Sequence, residues 1–356
     1  MRYLPIQARN VHFLVSSKRS SDSSKNHTCP VENINDPPQV PFINNLSFHQ
    51  FIQILSGACL AFSLLLSIFL IFRHATHYSM PREQKQIICI IFMIPVFATI
   101  SFLCIHFEEA AAYISPINEL YEAFAFAAFF QLLYTYVLEE AHAQSFSGQA
   151  SQLPPIRKTA IQIFQFPAIM FIVFLIEEIS EAKGTYCETE IKIYFTRIWC
   201  VILRIGGTII AILALLRFYK STKSLTAARK PIHKLMAFKG IVFLNFLQSI
   251  VFAFLSSRLS PTNKLTTRDL TDGIPSLLVS LEMVIFSILF LKFYAVGEYA
   301  KGRETYQGGF MGIKAIAGAA NFVAFIGEMV RMAMGKENTE NGGNVCTCSS
   351  YKAPSV

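Results

Sequence analysis

The sequence contains few charged residues and lacks the short motifs by which many soluble enzymes are recognised. Asp, Glu, Lys and Arg together make up 15% of the 356 residues. No glycine-rich phosphate loop, zinc-spaced Cys/His cluster or nucleophile elbow is present, and the eight cysteines do not form a disulfide framework. The sequence therefore predicts that the protein is not an enzyme and that it holds neither a cofactor nor a metal ion.

Most of the chain is apolar instead, and its positive charge is confined to short segments. Hydrophobic residues account for 53% of the sequence, 33 residues are phenylalanine, and the formal net charge is +8. These proportions indicate an integral membrane protein. Because the basic residues bunch in the gaps between apolar runs, where membrane topology would place them, we expect no nucleic-acid partner.

Seven apolar runs are long enough to cross a hydrocarbon layer about 30 Å thick, which takes roughly 20 residues of helix. They lie at 51–72, 86–106, 115–138, 160–177, 192–216, 235–256 and 274–296. Backbone groups in lipid must be hydrogen-bonded within their own segment, so each run is predicted to be a helix. The predicted fold is an all-α integral membrane protein, a bundle of seven transmembrane helices.

The distribution of Lys and Arg predicts the orientation of this bundle. Basic residues are dense after the fifth run, at Arg217, Lys220, Lys223, Arg229, Lys230, Lys234 and Lys239. The alternate connections are poorer, with none in 107–114 and only Lys183 in 178–191. Since cytoplasmic loops carry the excess of basic residues, the amino terminus is predicted to be outside and the carboxyl terminus cytoplasmic. The expected location is the plasma membrane or an endomembrane, as a multi-pass protein.

Four regions follow from this reading: a disordered extracytoplasmic tail (1–48), the seven-helix transmembrane domain (49–300), a cytoplasmic interfacial helix region (301–335) and a disordered cytoplasmic tail (336–356). The sequons "NHT" at Asn26 and "NLS" at Asn45 are glycosylation candidates that agree with an outside amino terminus. Cys346 and Cys348 in "VCTCSS" are candidates for palmitoylation, with two idle thiols as the alternative.

The segment 310–334 is long enough to span but carries polar residues at regular steps. Lys314, Asn321 and Glu328 recur every seven residues, with Arg331 nearby. Such a polar stripe on an otherwise apolar helix is typical of a helix that lies on membrane lipid. We therefore expect an amphipathic helix on the inner leaflet, with an eighth crossing as the alternative.

Several motifs between and within the runs occur in a characteristic order. They are Pro81 and Gln84 before the second helix, Tyr121-Glu122-Ala123 at the start of the third, Lys239 and Gln248 on the sixth, and Glu282-Met283 on the seventh. Together they resemble the organic solute transporter alpha-subunit/transmembrane protein 184 family over about residues 50–300. The chain departs from the family pattern at Leu138-Glu139-Glu140, where Gly-Gly-Glu is usual, and at Phe166, where a basic residue is common. It resembles a divergent member.

The resemblance implies a membrane transporter or transporter subunit for small amphipathic organic solutes. Steroid-like, terpenoid or other lipophilic anions are expected to cross by facilitated diffusion. A small single-span partner subunit and a homo-oligomer both stay open as assemblies. The alternatives are a seven-helix receptor and a non-transporting scaffold or regulator. The receptor is disfavoured because "YTYVLEE" stands where a basic-aromatic triad usually ends the third helix.

Arg204 is the most unusual residue within the predicted spans. It lies about ten residues into the fifth helix, roughly 15 Å deep, where an unpaired arginine costs about 2.5–3.5 kcal/mol. Glu282, roughly 12 Å deep on the seventh helix, is the predicted partner, with Glu122 as second choice. The hypothesis is a buried pair lining the solute path. A purely structural ion pair is the alternative.

Polar neighbours complete the predicted path. Gln248 is expected beside the ion pair, and Asn245 precedes it by three residues on the same helix. These two amides either contact the solute or only join two helices by hydrogen bonds. Glu119 and Glu122 form either an acidic vestibule at the outer end or a solvated first turn.

Overall fold

The computed structural model of the chain is all-helical in its described part, apart from short turns and two isolated bridges. It describes residues 40–43, 45–146, 156–186, 193, 195–226, 262–300 and 305–335, and nine positions between 234 and 252. The tail residue Asn26, the amide Asn245 and the thiols Cys346 and Cys348 lie outside the described residues. Asn45 is described and exposed, two residues before the N-cap of the first helix.

Six helices of the described part are long and apolar enough to cross a membrane. They are α1 (Phe48–Thr76), α2 with α3 (Pro81–Ile91 and Met93–His106), α5 (Pro116–Phe146) preceded by the short α4 (Ala111–Ile114), α6 (Ile156–Ala182), α7 (Thr196–Thr226) and α8 (Ile274–Phe293). The predicted span at 235–256 is described only at scattered positions, which are helical. The protein is a multi-pass, all-α membrane protein, as the sequence predicted.

The first span shows how these helices sort their side chains. Ser47 and Gln50 form a capping box that starts α1. Its buried face carries small residues, Ser56, Cys59, Ser63 and Ser67, whereas large apolar side chains such as Leu65 and Ile68 are exposed. Small residues inside and large apolar residues outside are typical of a helix that packs closely within a bundle and faces lipid on its other side.

Two prolines fall within spans and act differently. The helix is interrupted at Phe92 between α2 and α3, three residues before Pro95. Proline at position 95 has no N–H to donate to the carbonyl of Ile91, so the helical ladder is broken at that turn. By contrast, α6 continues through Pro167.

The helices form two groups that meet at α5. α1, α3 and α8 pack against one another, and α5, α6 and α7 form the second group. Aromatic rings fill the second group, where Phe129 stacks on Phe238 at 5.8 Å between ring centroids and Phe130 contacts Phe218 at 5.4 Å. Described positions of the 235–256 segment lie between the groups, since Phe238 contacts α5 and Gly240 faces Phe286 of α8.

The carboxyl-terminal segment differs from the single amphipathic helix predicted at 310–334. It consists of α9 (Ile313–Ala320) and α10 (Phe322–Ala333), which meet at an angle of 53°. The prediction of one continuous helix was wrong because Asn321 leaves the helical conformation and its side chain accepts a hydrogen bond from the Ala324 N–H, which caps α10.

The break also separates the residues of the expected polar stripe. Lys314 and Arg331 are exposed, but Glu328 turns toward the bundle and pairs with Lys85 of α2 at 3.0 Å. Phe322 packs edge-on against Phe124 of α5 at 4.8 Å, so the segment is docked on the spans. The two helices together have the length and hydropathy of a broken span or re-entrant loop. Their position on the inner leaflet stays a prediction.

Candidate functional site

Arg204 lies between two carboxylates contributed by two other spans. Its Nη1 donates to Glu119 Oε1 on α5 and its Nη2 donates to Glu177 Oε1 on α6, each at 2.5 Å. The Glu177 side chain is only 5% exposed, whereas Arg204 and Glu119 are 27% and 39% exposed. Tyr186 also donates to Glu177 at 3.3 Å. We call Arg204, Glu119 and Glu177 the Arg204 cluster.

The cluster forms because three helices end or begin at the same end of the bundle. Glu119 lies in the first turn of α5, Glu177 in the last turns of α6, and Arg204 eight residues into α7, roughly 12 Å along the helix. The long arginine side chain extends toward the helix end, as basic side chains in membranes generally do. Gly207 allows α6 to approach, because a Cβ there would lie 3.4 Å from Ile169.

The predicted pair of Arg204 with Glu282 was wrong. α7 packs against α5 and α6, whereas α8, which carries Glu282, packs against α1 and α3 in the other group. The Glu282 carboxylate instead accepts a hydrogen bond from Gln248. Gln248 and Glu282 are thus neighbours, as expected, but Arg204 is not beside them.

A small, narrow cleft lies within the second helix group, one turn further along α5 and α7 than the Arg204 cluster. It is lined by Glu122, Phe126, Phe166, Thr208, Ala211, Ile212 and Phe238. Glu122 lies one helical turn below Glu119, and the Thr208 hydroxyl donates to the Arg204 carbonyl at 2.7 Å. The lining of the cleft therefore combines one carboxyl group with aromatic walls. Phe166, where the family pattern often has a basic residue, supplies one of those walls.

Carboxyl groups outnumber basic groups in this region. Three carboxylates, Glu119, Glu122 and Glu177, surround a single guanidinium group. Within the described part, Arg204 Nε and Glu119 Oε2 are buried without a hydrogen-bond partner. The sequence singled out Arg204, Glu119 and Glu122 but missed Glu177, which stands at the very end of the fourth apolar run and reads there as part of an acidic loop.

A second polar cluster lies at the opposite end of the bundle. The Tyr299 hydroxyl donates to Glu83 Oε2 at 2.5 Å, and Tyr136, 3.5 Å from Tyr299, accepts from Lys234 Nζ at 2.8 Å. Burial raises the pKa of Tyr299 above its ordinary value, so its hydroxyl stays protonated as a donor. Gln84 accepts from the backbone of Met80 at 3.0 Å and closes the turn between α1 and α2.

This second cluster joins the ends of four helices and reads as structural. Its members come from α2, α5, the segment at Lys234 and the turn after α8. The contacts named above pair donors with acceptors inside the protein, which is how buried charges are accommodated in a folded core. Glu83 and Gln84 lie beside Pro81, in one of the stretches that carry the family resemblance.

Comparison with known proteins supports the same identification. Residues 52–299 match the family described as organic solute transporter Ostalpha. The chain is 28% identical over 275 residues to protein LAZ1 homolog 1 of Arabidopsis thaliana, covering 68% of this chain and 57% of that protein. It is 26% identical over 288 residues to protein LAZ1 of the same plant, covering 71% and 59%.

A transmembrane protein 184 homologue of Dictyostelium discoideum is 24% identical over 265 residues, covering 69% of this chain and 52% of that protein. The matched part thus spans between about half and three-fifths of each of these relatives. No solved structure matches the chain. With the family match extending from the first span to the end of the last, the chain belongs to the Ostalpha organic solute transporter family, whose members have a transporter-related role in membranes.

Proposed function

We propose that this protein is a transporter, or the transporting subunit of one, for small amphipathic organic solutes. The solute moves by facilitated diffusion along a path between α5, α6 and α7. The observation that carries the proposal is the Arg204 cluster, which lies within apolar helices one turn from the aromatic cleft. Ionisable residues inside spans are rare and generally mark solute or ion pathways.

The composition of the cluster favours a path over a purely structural ion pair. A structural pair needs one carboxylate for one guanidinium group and is best enclosed by protein. Here two carboxylates contact Arg204 and Glu122 adds a third below them. The Arg204 and Glu119 side chains also stay 27% and 39% exposed. An excess of acidic groups that is open on one side suits contact with a polar solute group.

The same excess bears on the chemistry of the solute. An anionic head group would have to displace Glu119 or Glu177 from Arg204, whereas a hydroxyl, amine or other donor can bind the carboxylates directly. The rings of Phe126, Phe166 and Phe238 offer apolar faces for a ring system. We therefore propose neutral or cationic amphipathic solutes, of steroid-like or terpenoid size, in preference to lipophilic anions.

Reconstitution into liposomes tests the proposal. The purified protein, alone and with co-purified partners, is assayed for uptake of labelled neutral, cationic and anionic amphipathic compounds. The expected result is equilibration faster than in empty liposomes, with cationic and neutral compounds ahead of anionic ones. If no compound equilibrates faster than through empty liposomes, the transporter proposal fails.

Variants then test the path. Glu122→Gln removes a charge that contacts no described ion-pair partner, so the fold is expected to persist while uptake of cationic solutes falls about tenfold, the effect of losing one charge-assisted hydrogen bond. Lys292→Gln is the matched control, because it removes an exposed charge at the far end of α8. Equal uptake by both variants and the unchanged protein would place the path elsewhere.

A further inference from the structure

Three potential metal ligands from distant parts of the sequence meet at the end of the bundle where α1 begins. His49 lies in the first turn of α1, Glu108 follows α3, and Asp269 starts the π-helical turn before α8. One ligand atom from each lies within 4.8 Å of the others. His49 Nδ1 is 2.8 Å from Glu108 Oε1 and 3.5 Å from Asp269 Oδ1. This group is separate from the Arg204 cluster.

The Asp269 side chain points an unused oxygen into this group. Asp269 is 1% exposed, and its Oδ2 accepts from the Thr266 N–H at 3.1 Å. Its Oδ1 is buried and accepts no hydrogen bond in the described part, where the polar atom recorded closest to it is His49 Nδ1 at 3.5 Å. A buried carboxylate oxygen without a donor is costly. Either a proton on His49 Nδ1 or a cation held by these atoms would compensate for it.

We propose that His49, Glu108 and Asp269 bind a Zn²⁺ ion, with water as the fourth ligand. One imidazole nitrogen and two carboxylate oxygens form a donor set that zinc accepts. In tetrahedral coordination with bonds of about 2.0–2.1 Å, neighbouring ligand atoms lie about 3.3 Å apart. The distances of 2.8 and 3.5 Å from His49 Nδ1 bracket this spacing, so small adjustments suffice.

The surroundings of the three ligands hold them in place. Thr266 and Asp269 exchange hydrogen bonds, with the Asp269 N–H donating to Thr266 Oγ1 at 3.0 Å, which fixes the aspartate. Arg268 lies 3.9 Å from the second Glu108 oxygen and orients that carboxylate. Partners that orient the ligands in this way are a regular feature of metal sites.

A bound ion would join the ends of α1, α3 and α8, the three helices of the first group. Its effect is therefore structural and distinct from transport, because the solute path lies in the second group. The predicted orientation of the chain places the site on the extracytoplasmic face. A zinc ion there fixes how the outer ends of these helices pack.

Metal binding by the full-length protein in detergent tests this inference. Bound metal is first removed from the protein with a chelator. The protein is then titrated with Co²⁺, a spectroscopic substitute for zinc, and its visible absorption is measured. Zinc is titrated last, and thermal unfolding is recorded at each step. We expect one equivalent of Co²⁺ to give the intense bands of tetrahedral coordination, and Zn²⁺ to displace it and raise the midpoint of unfolding. Absence of the bands, or a midpoint that only Ca²⁺ raises, would overturn the zinc site.

Three variants identify the ligands. His49→Gln and Glu108→Gln are each expected to weaken zinc binding more than about 100-fold, since even the loss of an orienting partner costs 10–100-fold. Glu109→Gln, which removes the exposed neighbouring carboxylate, is the control and should bind like the unchanged protein. The decisive case is a metal-stripped His49→Gln protein that unfolds at the normal midpoint. If cobalt still gives undiminished bands with it, the metal binds elsewhere and the assignment is refuted.

Discussion

Arg204 links all three helices of the second group through its contacts with Glu119 and Glu177. An unpaired arginine at this depth costs about 2.5–3.5 kcal/mol on insertion scales, and Glu119 and Glu177 remove that cost. The dependence is mutual, because the Glu177 side chain is 5% exposed and has no route to water of its own. Removing the arginine would leave this carboxylate buried and without its cation.

We expect Arg204→Gln to lower the free energy of unfolding by about 3–5 kcal/mol, the usual consequence of removing one partner from a buried pair. The double variant Arg204→Gln/Glu177→Gln should recover much of the loss, because it leaves no unpaired buried charge. Arg197→Gln, two turns earlier on α7, is the control and should change little. Thermal unfolding in detergent measures all three, and an Arg204→Gln protein as stable as the control would contradict the prediction.

Glu177 also shows what sequence reasoning at this scale misses. Hydropathy placed the fourth span at 160–177, but the helix runs from Ile156 to Ala182. Polar residues that continue a helix past the hydrocarbon layer are invisible to an apolar pattern. Depth counted from the apolar edge then paired Arg204 with Glu282. Long side chains extend toward the helix ends, so a partner near the surface was closer than one at equal depth.

Among helix pairs, α6 and α7 are in the closest association, and Gly207 is at their contact. A Cβ at position 207 would meet Ile169 at 3.4 Å and Phe166 at 3.5 Å, whereas one at Gly206 meets nothing within 4 Å. Of two consecutive glycines on α7, only Gly207 therefore lies where α6 approaches.

The two glycines make a matched test of that packing. Gly207→Leu should force α6 and α7 apart and destabilise the protein by about 1–3 kcal/mol, the usual effect of overpacking. Gly206→Leu adds the same side chain to the open face and should be neutral or slightly stabilising, since leucine favours helix more than glycine does. The comparison uses thermal unfolding in detergent. Equal effects of the two substitutions would mean that α6 does not pack against Gly207.

Helix existence was easier to predict than helix continuity. The spans read from apolar runs are present in the described part because a bilayer leaves helices as the only option. The breaks at Phe92 and Asn321 depend on local hydrogen bonds, namely the missing N–H of Pro95 and the side-chain cap offered by Asn321. A hydropathy profile contains neither. The stripe at 310–334 was therefore read as continuous although Asn321 interrupts it.

In the described part of the molecule, the two charged clusters and the proposed zinc ligands lie at the two ends of the bundle. The Arg204 cluster and the proposed zinc ligands lie at the end where α1 begins, and Glu83, Tyr136 and Tyr299 lie at the other. Such sorting follows from consecutive spans that alternate in direction. It does not determine which end of the bundle faces the cytoplasm. The distribution of basic residues predicts that the end with Glu83 does.

Labelling at two exposed serines, one at each end of the bundle, determines this orientation. Ser115 precedes α5 at the end of the Arg204 cluster, and Ser224 lies near the end of α7 in the most basic connection. Both cysteine variants are made in a protein that also carries Cys29→Ser and Cys187→Ser. Ser115→Cys should then react with a membrane-impermeant thiol reagent on intact cells. Ser224→Cys should react only after the cells are permeabilised. The physical reason is that basic connections are retained on the cytoplasmic side during insertion. The reverse labelling pattern would invert the bundle and place the Arg204 cluster and the zinc ligands on the cytoplasmic face.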